Sequence, residues 1–267
     1  MRNKLLKIYI ISHKKRLHNF ANLLKKQGSF ILPNNFRLKF DENNKIDAES
    51  LFAFCLFYGV EFSDDESHWH YKENIITTPT NIRFKIEKFH SLIFSETFLS
   101  DIHFSHFDLK NKVVVQAGGF IGDTALYYAS RGAIVYSFEP DINSYKLALE
   151  NIELNPNFSK NIVMKNYAIG NDAEIDFPIN PKGSGGSSAY DLGNYEKIKV
   201  KSVSLSTILD EFSIGNPFLL DLDIKGKEFE IINDEAISKF EMARTANNTS
   251  IYLLLHLFTF FMKIGSF

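Results

Sequence analysis

The 267-residue sequence has a single cysteine, Cys55, so an internal disulfide cannot form. Zinc ribbons and iron–sulfur clusters are excluded for the same reason, because both need several cysteine ligands. The formal net charge is only −2 and the pI is about 6.5, so no nucleic-acid partner is expected. The apolar run at residues 251–262 has twelve residues, too few for a membrane-spanning helix, which needs about 20.

Phenylalanine, by contrast, is abundant. The chain has 26 phenylalanines, which predict a core packed with aromatic rings. Hydrophobic residues make up 45% and charged residues 23%, as is usual for a folded chain. The length suits one substantial domain, or one domain with an appendage.

Charge is distributed unevenly along the chain. Residues 1–40 hold ten basic side chains and no acidic one, with apolar residues among them at roughly helical intervals. This pattern predicts one or two basic amphipathic helices, which could contact an anionic membrane peripherally or pack, solvated, beside the main domain. Lys7 interrupts the apolar stretch at the N-terminus and no small-residue cleavage site follows, so we expect a cytoplasmic protein, with the membrane surface as the alternative location.

Four segments follow from the patterns along the chain. They are an N-terminal appendage (1–74), a lead-in segment (75–110), an α/β core (111–240) and an apolar tail (241–267). The lead-in predicts a pair of extended segments at 77–85 and a helix at 87–102. In the core, short apolar runs alternate with helical patterns, and this alternation predicts a parallel sheet covered by helices on both faces.

A glycine-rich turn, Gln116 to Gly122, follows the first predicted strand of the core. Glycines let the backbone turn sharply and approach a ligand closely, and helix amides lie beyond such a turn. Glu139 ends the next strand, 21 residues after Gly118, where a carboxylate can bind both hydroxyls of a ribose. The G-x-G-x-x-G spacing of dinucleotide sites fails from Gly118 and from Gly119, which disfavours NAD and leaves S-adenosylmethionine.

Four stretches of the core resemble successive motifs of the FkbM family of S-adenosylmethionine-dependent methyltransferases: VVVQAGGFIGDTALYYASRGA, VYSFEPDINSYKLALENIELNPN, KNYAIGN and DLDIKGKEFEII. The resemblance runs from about residue 111 to residue 232. It implies a class I methyltransferase fold, a Rossmann-like α/β sheet, with the basic N-terminal helical segment as an appendage. It also implies S-adenosylmethionine as cofactor and methyl transfer to a hydroxyl of a small-molecule, sugar or lipid-linked acceptor.

The resemblance also implies residues for the cofactor site: Gln116, Gly118, Gly119, Gly122, Glu139, Asn166 and Ala168. Glu139 matches the ribose-binding acid of the family, and the last two residues lie where the adenine edge would be read. Three positions depart from the family pattern. Gln116 stands where the family usually carries Asp, Phe120 replaces an Asn, and Lys225 replaces a Glu.

The chemistry needs a base. A sulfonium methyl is already electrophilic, so the protein must position and deprotonate the acceptor oxygen. Asp223 is the first candidate base, because ligands of such sheets bind beyond the carboxyl ends of the strands. Glu228 is the second candidate, although it could equally cap the following helix or pair with Lys225. Asp221 shares a strand face with Asp223 and is a further candidate carboxylate.

Two other functions stay open at this point. A catalytically silent relative could use the same fold to bind a nucleoside ligand or a partner protein, and a membrane-surface protein could depend on its basic arm and apolar tail. Two histidine pairs, His68 with His70 and His103 with His106, supply fewer ligands than a typical metal site, so no metal is expected.

The segment after Phe240 is short for a complete class I sheet. Its 27 residues leave too little chain for the usual remaining strands and helix. A shortened sheet, a tail completed by a partner and a truncated product all fit. The apolar run in this tail could supply one strand.

Overall fold

The structure is a computed structural model that describes the following residues: 13–63, 65, 67–101, 107–179, 196–224, 231–232, 234–245 and 253–254. The chain divides into two compact units, Met1–Ser105 and His106–Phe267. This division falls inside the predicted lead-in segment, 75–110. Within the described ranges, no helix combines the length and the apolar character needed to cross a membrane.

The first unit contains three described helices and two small antiparallel sheets. The helices are α1 (His13–Leu23), α2 (Lys45–Tyr58) and α3 (Ser91–Phe98). The strands are β1 (Gly28–Ile31) and β2 (Arg37–Phe40) in one sheet, and β3 (His70–Lys72), β4 (Ile75–Thr77) and β5 (Arg83–Lys85) in the other. The predicted extended pair at 77–85 corresponds to β4 and β5, which pair with each other.

Aromatic rings form the core of the first unit. Phe30 stacks between Phe40 and Phe52, at ring-centroid distances of 4.7 and 4.8 Å. Phe54 makes edge contacts with Trp69 and with a further phenylalanine. The fully buried rings of this unit are Phe30, Phe54, Phe62, Phe84 and Phe94. The predicted aromatic core is therefore present, and it holds together short strands that bury little backbone.

Helix α1 lies within the basic segment and packs on β1 through its polar residues. The Asn19 side chain donates to the Ile31 carbonyl at 2.9 Å and accepts from the Ile31 amide at 2.7 Å. His18 Nε2 lies 2.9 Å from the Ser29 carbonyl oxygen. These bonds satisfy backbone groups along the edge of β1 as a further strand would.

The second unit is a mixed six-stranded sheet with helices, plus a small three-stranded sheet. Its strands are β6 (Val113–Ala117), β7 (Ile134–Phe138), β8 (Ile162–Lys165), β9 (Ala168–Ile169), β10 (Ala173–Pro178), β11 (Lys197–Val203), β12 (Leu219–Leu222), β13 (Met242–Thr245) and β14 (Leu253–Leu254). Its helices are α4 (Asp123–Ser130), α5 (Ile142–Glu153), α6 (Pro156–Ser159) and α7 (Leu205–Glu211), with a 3₁₀ helix at Glu235–Lys239.

The strand order of the large sheet is β14-β13-β12-β6-β7-β8. All neighbours run parallel except β14, which is antiparallel to β13. The predicted parallel α/β sheet is confirmed, and the C-terminal apolar run supplies the expected strand as β14. Asp141 caps α5 as its position before the helix indicates, because its Oδ1 accepts from the amides of Asn143 and Ser144 at 2.7 and 3.0 Å.

Central strand β12 buries a charge. Asp221 is fully buried, accepts a hydrogen bond from the Tyr128 hydroxyl at 2.9 Å, and pairs with Arg244 of the neighbouring strand at 2.7 Å. Burial and the Asp221 charge raise the pKa of Tyr128 well above its usual value, so the phenol stays a hydrogen-bond donor. The sequence-based interpretation of Asp221 as a site carboxylate is therefore wrong. Its two oxygens are committed to partners inside the unit.

Replacing Arg244 by methionine should destabilise the protein by about 3–5 kcal/mol, because Asp221 would remain buried without its cation. Urea unfolding followed by circular dichroism measures the change. As a control, Lys26→Met removes one partner of the exposed Lys26–Glu42 pair and should change stability far less. A cost for Arg244→Met as small as the control's would contradict the role assigned to this ion pair.

Candidate functional site

The turn between β6 and α4 is shaped by its glycines. Gly118 and Gly122 have φ angles of 86° and 80°, in the left-handed region that side chains rarely adopt. A Cβ added to Gly118 would clash with the carbonyl oxygen of Asp223, and one added to Gly119 would clash with the Ser137 hydroxyl. The turn therefore lies directly against the ends of both neighbouring strands, and only glycine fits there.

Backbone hydrogen bonds hold this turn in place. The amides of Gly118 and Gly119 both donate to the Phe138 carbonyl oxygen, at 2.9 and 3.0 Å. On the other side, the Asp223 amide donates to the Ala117 carbonyl oxygen at 2.9 Å. The carboxyl ends of β7, β6 and β12 are thus joined through one turn.

Glu139 sits immediately after β7 and is nearly buried. One carboxylate oxygen accepts from the Phe120 amide at 2.8 Å, and the other accepts from the Asp141 amide at 2.8 Å. Asn166 donates to the carbonyl oxygens of Glu139 and Pro140, at 2.8 and 3.0 Å. Because each carboxylate oxygen can accept more than one bond, Glu139 stays able to bind ligand hydroxyls while its direction is fixed.

Gln116 is buried in β6, where its side-chain oxygen accepts from the Ser137 hydroxyl at 2.8 Å. This bond links β6 to β7 just below the turn. Asp223, in contrast, follows the last residue of β12 and is exposed at the carboxyl edge of the sheet. Among the described groups of this edge, it is a carboxylate placed to meet a ligand.

The structure brings most of the predicted residues that it describes together. Gln116, the glycines of the turn, Glu139 and Asp223 lie around the carboxyl ends of three adjacent strands. Asn166 acts on the backbone that follows β7. Ala168 lies in β9, paired with Ser202 in the smaller sheet. The predicted Glu228 lies outside the described residues.

Asp123, the first residue of α4, was not predicted as a site residue. It is 2% exposed, and its Oδ2 atom has no hydrogen-bond partner among the described residues. Burial, opposed in part by nearby amides and reinforced by the charges of Asp223 and Asp221, raises the pKa of Asp123 to about 7. An acidic residue in the first turn of a helix is ordinarily explained by the helix dipole, so the sequence carried no signal that set this one apart.

The predicted histidine pairs do not form a metal site in the described ranges. His68 Nδ1 lies 3.4 Å from Asp65, and His70 Nδ1 lies 2.8 Å from the Ser63 carbonyl oxygen. No group of three or more His, Cys, Asp or Glu side chains suited to a metal ion occurs in the described part of the chain. The second predicted pair, His103 with His106, lies outside the described residues.

The arrangement fits a nucleoside ligand. The glycines let the turn pack directly against the ends of β7 and β12, and Glu139 beside it offers acceptors of fixed direction for hydroxyl groups. At the other end of the turn, Asp223 and the unpartnered oxygen of Asp123 offer negative charge. The site can therefore hold a molecule with hydroxyl donors at one end and a cation at the other.

Comparison with known proteins gives one family. The family model of the methyltransferase FkbM domain matches residues 116–259, slightly more than half of the chain. Among curated proteins, no sequence matches this chain.

Solved structures give distant matches. The methyltransferase FkbM from Methylobacillus flagellatus KT is 16% identical with a TM-score of 0.39, and the match covers 84% of this chain and 55% of that one. The N-terminal domain of human METTL16 in complex with SAH is 10% identical with a TM-score of 0.37, covering 95% and 82%. A METTL16 MTase domain is 10% identical with a TM-score of 0.43, covering 96% and 80%.

Replacing Gly118 by alanine should destabilise the protein and abolish binding at this edge of the sheet, because the added Cβ meets the backbone of Asp223 at a φ of 86°. Gly215→Ala is the matched control, since a Cβ there meets nothing within 4 Å. Thermal unfolding and calorimetric titration with S-adenosylhomocysteine compare the two variants. Equal behaviour of both would contradict the tight approach of the turn to β12.

Proposed function

The chain belongs to the FkbM methyltransferase domain family, and we propose that it transfers the methyl group of S-adenosylmethionine to a hydroxyl oxygen of a small-molecule, sugar or lipid-linked acceptor. The observation that carries this proposal is the family match over residues 116–259, which begins at Gln116 and takes in the turn, Glu139 and Asp223. The geometry at the carboxyl edge of the sheet supports it, because the Glu139 carboxylate is held there in a fixed direction beside the glycine turn, where it can accept from the hydroxyls of a nucleoside-bearing cofactor.

The cofactor, when bound, supplies a methyl group already activated by its sulfonium. The residues of this chain then have two tasks. The first is to hold the cofactor: Gly118 and Gly119 keep the turn packed against the ends of the neighbouring strands, and Glu139 would accept hydrogen bonds from the ribose hydroxyls. The second task is to place the acceptor oxygen and remove its proton.

Asp223 suits the second task. Its amide is fixed to the end of β6 by the bond to Ala117, while its side chain is exposed where an acceptor can reach it. An Asp223 oxygen would take the proton of the acceptor hydroxyl, while the acceptor oxygen would take the methyl group from the cofactor's sulfur and leave the neutral thioether S-adenosylhomocysteine. A general base of this kind typically contributes about 10²–10⁴-fold in rate.

Asp223→Asn should therefore lower methyl transfer by about 10²–10⁴-fold while the dissociation constant for S-adenosylhomocysteine changes by no more than a few-fold. Transfer of labelled methyl groups to fractionated cell extract measures the first quantity, and calorimetry measures the second. Asp210→Asn, an exposed carboxylate on α7, is the matched control and should leave both unchanged. Unchanged transfer in Asp223→Asn would exclude it as the base.

The chemistry of the labelled product tests the hydroxyl acceptor. A methyl ether keeps its label in mild base, whereas a methyl ester releases the label as methanol. Base-stable label is expected, and complete release would overturn O-methylation of a hydroxyl. Tight cofactor binding with no labelled product in any fraction would favour the catalytically silent relative instead.

A further inference from the structure

One carboxylate oxygen of Asp123 has no hydrogen-bond donor among the described residues. Its side chain is 2% exposed, yet Oδ2 has no hydrogen-bond partner among the described residues. A buried carboxylate oxygen left without a donor costs more free energy than a neutral group does. The two carboxylates that act on it electrostatically are Asp223 and Asp221, and of these Asp221 is already neutralised by Arg244. A cation is therefore the partner that this environment favours.

The position of Asp123 in the fold indicates which cationic group of a ligand lies near it. Asp123 begins α4 directly after the glycine turn, and its charged neighbours Asp221 and Asp223 lie in β12 and directly after it. Glu139, which suits the ribose hydroxyls, follows β7 on the opposite side of β6. Strands β12 and β7 are two strand spacings apart, about 10 Å, so the site has one end at each of these strands. S-adenosylmethionine has ribose hydroxyls in its nucleoside portion and an ammonium group at its amino-acid end.

We propose that the Asp123 carboxylate binds the ammonium group of the cofactor's amino-acid portion, which makes Asp123 a cofactor-positioning residue. The proposal rests on the proposed function. An ammonium group carries three N–H donors and a positive charge, so it supplies both of the things that Oδ2 lacks.

The ionisation of Asp123 predicts how the affinity for the cofactor changes with pH. Since burial raises the pKa of this carboxyl to about 7, it is largely protonated in the free protein below that pH. Only the carboxylate attracts an ammonium, so the affinity for an amino-acid-bearing ligand should fall as the pH is lowered from 7 to 6. The substitution tested below changes Asp123 alone. It leaves the neighbouring charged and titratable groups as they are, namely Asp223, Asp221 with Arg244, and Tyr128.

Calorimetric titration of the full chain with three ligands shows which part of the cofactor Asp123 contacts. S-adenosylhomocysteine and 5′-methylthioadenosine share the nucleoside and a neutral thioether, but only the first carries the amino acid. S-adenosylmethionine adds the sulfonium charge. Asp123→Asn should lower the affinity for S-adenosylmethionine and for S-adenosylhomocysteine by about tenfold or more. The affinity for 5′-methylthioadenosine should stay unchanged. The variant's S-adenosylhomocysteine affinity should also lose the dependence on pH between 6 and 7.

The other outcomes each overturn the assignment. A loss confined to S-adenosylmethionine would place Asp123 beside the sulfonium, and an equal loss for all three ligands would show a structural role. No loss for any ligand would show that the carboxyl does not touch the cofactor. Failure of the wild-type protein to bind all three would instead count against the cofactor and the proposed function. Asp210→Asn is again the control, and circular dichroism verifies that both variants fold.

A second inference comes from the first unit, where α1 packs with its polar residues inward. Because Asn19 and His18 are bound to β1, the apolar residues of α1 face solvent. Phe20 and Leu24 are 67% and 81% exposed, and Leu17 and Leu23 are exposed too. Lys45 of α2 bonds to the Leu23 carbonyl at 2.7 Å, which brings the exposed Ile46 next to the end of α1. We call these five apolar residues the α1 face.

Exposed basic side chains lie on α1, directly after it, and on β2, which pairs with β1. They are Arg16, Lys25, Lys26, Arg37 and Lys39, of which Lys26 also lies 3.6 Å from Glu42. Residues 1–40 contain no acidic side chain. Exposed apolar side chains flanked by lysine and arginine are the combination with which helices insert into the headgroup region of anionic membranes. We infer that the α1 face docks this protein on an anionic membrane surface.

Sedimentation with lipid vesicles tests the inference on the full chain. The wild type should bind vesicles containing phosphatidylserine, bind phosphatidylcholine vesicles far less, and be released as salt rises. Phe20→Asp and Leu24→Asp should each reduce the anionic-vesicle binding by about tenfold, since they put a negative charge in the apolar face. Leu149→Asp, at an exposed leucine of α5, is the matched control and should bind as the wild type does.

Two results would overturn the inference. The first is equal binding to both kinds of vesicle or to neither. The second is a dimer in solution that Phe20→Asp dissociates, which would make the α1 face a contact between copies of this chain.

Discussion

The backbone around Ala117 and Gly118 is tied to the strands on both sides of β6, and the rest of the site depends on this double attachment. The Gly118 and Gly119 amides bond to the end of β7, while the Asp223 amide bonds back to Ala117. A turn held from both sides has little freedom to shift. Glu139 and Asp223 consequently lie on either side of it, where the proposal places the nucleoside and the acceptor.

Electrostatics at this edge is dominated by negative charge. Asp221, Asp223 and Asp123 act on one another, but the fold treats each differently. Asp221 is neutralised inside the sheet by Arg244 and held by Tyr128. Asp223 is exposed to solvent, and Asp123 is buried with no donor for one of its oxygens among the described residues. The fold therefore gives the three carboxylates three different environments, of which the proposals assign one to acceptor chemistry and one to cofactor binding.

The two units use different means to reach stability. The second unit buries apolar strands such as β12 between helices, whereas the first unit relies on stacked phenylalanines around short strands. In the first unit, α1 turns its polar side inward, because Asn19 bonds to the backbone at the edge of β1, where no further strand pairs among the described residues. The apolar side chains turned outward are a consequence of that arrangement.

Much of the α/β core could be predicted from the sequence. Alternating apolar runs predicted the strands, and Glu139 was found because a carboxylate at a strand end after a glycine turn has a recognisable spacing. The error concerns a neighbour across the sheet. Asp221 and Asp223 share a strand face in the sequence pattern, but the sequence does not reveal that the next strand, β13, places Arg244 opposite Asp221. Ala168 pairs with Ser202 in the smaller sheet, and its role at the adenine edge stays a prediction.

The sequence by itself determined the alternation of strands and helices in the α/β core, the glycine turn, the acid after β7 and the basic character of residues 1–40, although within those residues it predicted helices where the structure also has β1 and β2. These are local properties, which depend on neighbours along the chain. Only the tertiary structure decided which carboxylate is paired, which is exposed and which is left without a donor. It also decided that α1 packs by its polar side. Burial and pairing depend on contacts between distant parts of the chain, and spacing along the sequence does not reveal them.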